Sequence, residues 1–340
     1  MKRPLLRRGV VSLSLARVLA LGGLAVAPLI PSAVHAAAPQ VRTQAPGYYR
    51  MMLGDFEVTA LSDGTVPQTI REVATRTTPE RVTALLARDY LQDPVETSIN
   101  AFLINTGTSL VLVDTGVGNL FGPDVGGRLQ QSLRAAGYQP EQIDVVLLTH
   151  IHSDHSGGLM TGASRAFPNA VLRVHAREAD YWLSPENMAK AGDARRFFEE
   201  ARAMVGPYQD AGKLKPFGDK DVLVPGIRAV PTPGHTPGHS IYVVESQGQR
   251  LVLWGDLMHF GPVQLREPAV TVSYDVDSRA AATQRARVFA EAAERGDLVG
   301  LDHMPFPGLG RLAADGKGYR WVPTNYTSAQ RWPAAKGKAE

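Results

Sequence analysis

The sequence predicts an α/β fold in which helices cover two sheets. Three observations carry that reading. Short apolar runs punctuated by Gly, Asp and Pro dominate the chain after residue 47, the pattern of buried strands. Helical periodicities then mix with such runs, which fits two covered sheets better than one doubly wound sheet. Hydrophobic residues make up 44% and charged residues 20%, enough for a sizeable core and too apolar for wholesale disorder. In chain order, strands are expected over 56–61, 101–105, 110–113, 145–148, 171–174, 241–244 and 251–254. Helices are expected over 127–136, 194–205 and 278–295. No repeat of 20–50 residues interrupts this order.

The ends read differently. Lys2, Arg3, Arg7, Arg8 and Arg17 lead into a mostly apolar run over 18–30, and Val34-His35-Ala36 offers small residues for cleavage. Residues 1–36 therefore read as an export signal. The apolar run is short for a membrane anchor, the competing reading. Arg7-Arg8 loosely resembles a twin-arginine signal, and the general secretory route stays open beside it. The expected product is periplasmic or secreted, with no stable membrane anchor after cleavage. Residues 37–335 are expected to form one domain, opening on an extended arm over 37–47, and 336–340 a disordered tail. The charge balance follows this division. The full chain has 36 Lys and Arg against 33 Asp and Glu, but five of the basic residues and no acidic ones lie in 1–36. The remainder, with 31 bases and 33 acids, is near neutral.

Composition excludes several function classes. With no cysteine, thiolate metal sites, Cys nucleophiles and disulfides are excluded. No Gly-rich phosphate loop follows a strand, so no nucleotide cofactor is indicated. Lys and Arg are scattered, so nucleic acid is not an expected partner.

The chemistry concentrates after the 145–148 run, in Thr149-His150-Ile151-His152-Ser153-Asp154-His155-Ser156-Gly157-Gly158. Residues i and i+2 at a strand end face one side, so His150 and His152 can converge on one point. Asp154 and His155 can serve a second point on the turn that follows. Imidazoles with a carboxylate suit Zn²⁺ or another first-row divalent ion. Further donors sit near strand ends: His235 in Pro233-Gly234-His235-Thr236-Pro237-Gly238-His239, Asp256 after the 251–254 run, and His303 after Leu298-Val299-Gly300-Leu301.

These seven residues, in this order, resemble the ligand set of the metallo-β-lactamase superfamily. Asp63-Gly64 and Asp114-Thr115-Gly116 match its early strand-end turns. Within it, Ala45-Pro46-Gly47-Tyr48-Tyr49-Arg50, Leu53-Gly54-Asp55-Phe56, Leu61-Ser62-Asp63-Gly64-Thr65, Gly137-Tyr138-Gln139-Pro140-Glu141-Gln142 and Asp315-Gly316-Lys317-Gly318-Tyr319-Arg320 resemble the methyl parathion hydrolase and aryl lactonase group. The similarity runs from about Pro39 to Tyr326. It implies a four-layer αββα sandwich holding two divalent ions, most simply zinc. His150, His152 and His235 would hold the first ion, and Asp154, His155 and His303 the second. Asp256 would bridge them, and Asp114 would support a ligand from behind.

The implied reaction is attack on a small-molecule ester, lactone or phosphotriester by a hydroxide shared between the metals. Asp154 and Asp256 act in it as metal ligands. The resemblance places Phe121, Trp182 and one of Phe197 or Phe198 around the leaving group, with His259 and Tyr274 beside them. Organophosphate-specialised members are more aliphatic near these last two. That difference favours lactones or aryl esters, with organophosphate hydrolysis as a side activity. The alternatives are a dedicated organophosphate hydrolase and a non-catalytic metal-binding protein. The resemblance also leans toward a homodimer. His239 is expected to be structural, and His175 to be a core or surface residue.

Overall fold

A computed structural model describes residues 38–328. The expected export signal over 1–36 and tail over 336–340 lie outside them. Residues 38–44 belong to a first unit and are exposed, without helix or strand. The second unit begins at Ala45 and holds two six-stranded sheets.

The first sheet runs Tyr48–Leu53, Phe56–Gln68, Val95–Asn105, Leu110–Val113, Val145–Leu147 and Val171–Arg173. Its first four strands pair antiparallel with one another, and the last two add to them in parallel. The second sheet runs Ile227–Pro231, Ser240–Ser246, Gln249–Leu253, Leu298–Gly300, Leu309–Asp315 and Gly318–Pro323. Its one parallel pair joins Gln249–Leu253 to Leu298–Gly300.

Strand alternation explains the layers. Phe102, Ile104, Val111 and Val113 face one way and pack with Tyr242, Val244, Leu251 and Leu253 of the other sheet. The alternate residues Ala101, Leu103, Leu110 and Leu112 face outward onto helices Leu129–Ala135, Ala176–Trp182 and Arg195–Asp210. Ile241, Val243 and Val252 likewise face helix Ser278–Arg295 through Val288, Phe289 and Ala292. Strands apolar on both faces must be covered on both, which gives helix, sheet, sheet, helix. The expected two-sheet α/β fold is therefore the observed one.

Local signals set the ends. The Asp277 side chain accepts from Ala280 N (2.9 Å) at the start of Ser278–Arg295, and Gly296 closes it with φ of 63°. Helix Arg195–Asp210 passes the expected end at 205 and runs through Pro207, because Val205 and Tyr208 both bury against the first sheet. The Phe56–Gln68 strand is 13 residues long, more than twice the expected run, with a bulge between Ser62 and Gly64. No helix among the described residues is long and apolar enough to cross a membrane.

Parallel pairing positions the site. Leu110–Val113 and Val145–Leu147 are parallel neighbours, so their C-terminal ends lie on one edge. Gln249–Leu253 and Leu298–Gly300 do the same in the second sheet. Asp114, His150, Asp256 and His303 follow these four ends within a few residues. Strand C-termini in such sheets are where chain can leave the ladder and present side chains.

Candidate metal centre and its cavity

The Val145–Leu147 strand leads into an extended segment whose His150 and His152 alternate toward one point. A single-turn helix, Ser153–Ser156, then carries Asp154 and His155. His235 joins from the turn after Ile227–Pro231, Asp256 from the end of Gln249–Leu253, and His303 from beyond Leu298–Gly300. Two donor groups result: His150, His152, His235 and Asp256, and beside them Asp154, His155 and His303. In each group the donor atoms lie within 4.8 Å of one another. His235 Nε2 is 3.0 Å from His152 Nδ1 and 3.2 Å from Asp256 Oδ2. Asp256 Oδ1 is 2.9 Å from both His155 Nε2 and His303 Nε2. The Asp256 carboxylate thus lies between the two groups, one oxygen toward each.

The imidazoles are oriented from behind. His155 Nδ1 sits 2.9 Å from Asp114 Oδ2, His235 Nδ1 2.7 Å from Asp275 Oδ1, and His303 Nδ1 2.9 Å from the Ser98 carbonyl. Thr149 N donates to Asp114 Oδ1 at 2.8 Å, tying the start of the ligand segment to the same carboxylate. Asp114 itself has φ of 60°, a strained conformation for a residue with a side chain, stored at the centre of the site. Behind it the fully buried Asp63 accepts from Val117, Gly127 and Leu129 N–H groups and fixes the surrounding turns. His239 is not among the donors: its Nε2 accepts from Asp256 N (3.1 Å) and its Nδ1 meets Thr232 (2.8 Å). His175 is buried and caps helix Ala176–Trp182, away from the site.

The electrostatics match a cation site. Burial and the neighbouring His155 hold His150 well below the usual imidazole range, and burial with His235 does the same to His152. Burial opposes charge on His235 and His303, yet adjacent carboxylates push each up to about 9. Burial also opposes charge on Asp256, but His155 and His303 hold its carboxyl well below the usual range. His150 Nε2 is buried with no hydrogen-bond partner, and Asp256 Oδ1, although 2.9 Å from His155 Nε2, is not aligned to form a hydrogen bond with it. Unsatisfied buried polar atoms are costly, and here they converge with their rings already fixed. The residues present therefore fit two divalent ions with nitrogen and oxygen ligands.

Above the donors opens a cavity of about 120 Å³. Phe121, Phe197, Phe260, His259 and Tyr274 form much of its wall, with Arg196 at the side and Val66, Gln68 and Thr97 from the first sheet. Phe197 faces the cavity. Phe198 packs inward against Trp182 (centroids 4.7 Å apart) within the core. Trp182 stands behind His152, 5.2 Å ring to ring, and is buried. His259 Nε2 lies 3.0 Å from Asp256 Oδ2, and its ring stacks on His303. Sequence reasoning did not find Glu178, Asp275 or Asp302. Glu178 had only its spacing of four from Trp182 as a signal, and Asp275 and Asp302 only adjacency to Tyr274 and His303. Asp302 is buried 3.3 Å from His155 Nδ1, and burial pushes its carboxyl up to about 8.

A family profile, the metallo-beta-lactamase superfamily, matches residues 94–303, a span that holds all seven donors. The chain belongs to the metallo-beta-lactamase superfamily. This superfamily member is similar to a solved hydrolase, AbOPH, with 36% identity over 84% of this chain and 100% of that one, at a TM-score of 0.80. It is also similar to AidC, a dizinc quorum-quenching lactonase solved with a product, with 25% identity over 83% and 99% of the two chains, at a TM-score of 0.73. Among curated proteins it matches an N-acyl homoserine lactonase of Bacillus cereus, 29% identical over 171 residues. That match covers 45% of this chain and 60% of the lactonase.

Proposed function

We propose that this metallo-beta-lactamase superfamily member is a metal-dependent hydrolase that opens lactones or cleaves aryl esters, with organophosphate hydrolysis as a side activity. The observation that carries this reading is the convergence of seven donors, three of them imidazoles held from behind, at the floor of an aromatic cavity. The lactonases and the hydrolase among its relatives support the same class. Two bound divalent ions, most simply zinc, would supply Lewis acidity and a nucleophile active at neutral pH.

The chain's own residues do the rest. His150, His152 and His235 would hold one ion, Asp154, His155 and His303 the other, and Asp256 would lie between them. His239 keeps Asp256 in place by accepting its backbone N–H. Phe121, Phe197 and Tyr274 offer rings to an aryl or acyl group. His259 brings a polar edge into that wall, which suits a lactone or ester better than a bulky apolar triester. Its working place would be the periplasm or the medium, on the strength of the 1–36 segment, and a homodimer is the assembly we favour.

A kinetic panel on metal-replete protein tests the reading: aryl lactones, acyl homoserine lactones, aryl esters and phosphotriesters. Faster turnover of dihydrocoumarin than of paraoxon is expected. The reverse order would favour a dedicated phosphotriesterase. A metal-loaded chain inactive on every class would sink the enzyme reading.

A further inference from the structure

Glu178 lies on helix Ala176–Trp182 and is completely buried. Its carboxylate collects N–H groups from three separate parts of the site. Oε1 accepts from Ile151 N at 2.9 Å and from Trp182 Nε1 at 2.7 Å. Oε2 accepts from Gly238 N at 2.8 Å. Ile151 sits between His150 and His152, and Gly238 sits between His235 and His239. One buried side chain therefore joins two loops that carry the three imidazoles of one donor group, and it also fixes the indole behind His152.

The packing shows that this contact is built in. A Cβ at Gly238 would lie 2.4 Å from Glu178 N and 2.6 Å from its Cβ, so any side chain there would push the loop off the carboxylate. At their bases the loops are linked by Ser240 N donating to the Thr149 carbonyl (3.0 Å). Glu178 adds the link nearer the imidazoles. A carboxylate suits the task because both its oxygens only accept. A glutamine must turn an NH₂ toward one of the N–H groups and leave it unsatisfied.

We propose that Glu178 is a positioning residue that clamps the His150/His152 loop to the His235 loop and so sets the affinity of that donor group for its ion. The inference rests on the metal-hydrolase reading. It requires no contact between Glu178 and substrate.

The test compares wild type with Glu178→Gln in two measurements. Amide hydrogen exchange on metal-free protein reads Ile151 and Gly238 directly. Chelator competition reads ion affinity. The expected result is faster exchange at both amides and a loss of roughly 10–100-fold in affinity for zinc, the range for residues that orient ligands from behind. Unchanged exchange and unchanged affinity would overturn the inference. So would a lower Tm of the metal-free variant with both readouts unmoved, since that is ordinary structural support. If wild type itself binds no zinc while the variant frees both amides, the clamp stands and the hydrolase reading falls. Glu178→Asp keeps the charge, shortens the reach and gives the same two readouts should E178Q fail to fold.

Discussion

The floor of the cavity and the Phe121 and Phe197 side of its wall are held in opposite ways. On the floor, His155, His235 and His303 each have a second nitrogen fixed by Asp114, Asp275 or the Ser98 carbonyl. The residues come from strand ends, and the imidazoles are buried. On the wall, Phe121 lies in a loop and Phe197 near the start of helix Arg195–Asp210, both partly exposed, with Arg196 stacked 5.0 Å over the Phe197 ring. Groups that are over-determined resist change, and groups held by loops and helix ends adapt. The floor would then fix what reaction is possible, and the wall which molecule undergoes it.

The strongest way to break the floor is Asp256→Ala. It removes the carboxylate shared by both donor groups and leaves their imidazoles facing one another. Loss of bound metal by elemental analysis and a drop in kcat/KM of at least about 10³-fold, roughly 4 kcal/mol of barrier, is expected. Retained metal with full activity would refute the shared role.

The region beneath the floor should respond to alkali. Tyr208 donates to the Leu159 carbonyl (3.2 Å) and accepts from Phe167 N (3.3 Å), and burial pushes its phenol up to about 12. An unfolded tyrosine ionises near pH ~10. The neutral phenol therefore contributes fully below that pH, and its contribution is lost as pH rises toward 12. Denaturant midpoints followed across this window should fall more for wild type than for Tyr208→Phe, by on the order of 2–3 kcal/mol. Parallel curves would show that the phenol plays no such part.

Asp114→Asn is gentler. The amide keeps the shape but loses the acceptor that faces His155 Nδ1. Zinc affinity is expected to fall roughly 10–100-fold with the fold intact. A chelator titration with no shift would remove Asp114 from the floor.

The smallest effect belongs to the wall. Phe197→Ala should raise KM for aryl substrates about 3–10-fold, the equivalent of roughly 0.6–1.4 kcal/mol, and leave bound metal unchanged. If metal is lost instead, Phe197 supports His152, 5.5 Å away ring to ring, and the division between floor and wall fails there.

The floor was legible because its chemistry is costly to hold by accident. Three His and an Asp within six residues, directly after a buried strand, would leave several polar groups unpaired in any role but ligation. Asp256 and His303 stand out in the same way after apolar strands. Strands buried on both faces, such as Leu110–Val113, read clearly because every residue in them is apolar. Two of the edge strands did not. Tyr48–Leu53 and Gly318–Pro323 mix exposed and buried residues, and the second half of Phe56–Gln68 hides behind a bulge. Glu178 was invisible because an acid in a short helix is usually at the surface. Only the fold reveals that its side chain points inward, toward N–H groups 27 and 60 residues away. Phe197 and Phe198 could be told apart only by the rotation of their helix.

The four strand ends that deliver Asp114, His150, Asp256 and His303 are held within their own sheets, by parallel ladders that owe nothing to the connecting loops. Exchanges confined to the exposed positions around Phe121 and Phe197 would leave those ladders in place. A scaffold with that separation is evolvable: new substrate preferences are reachable by loop drift, without passing through an inactive ancestor.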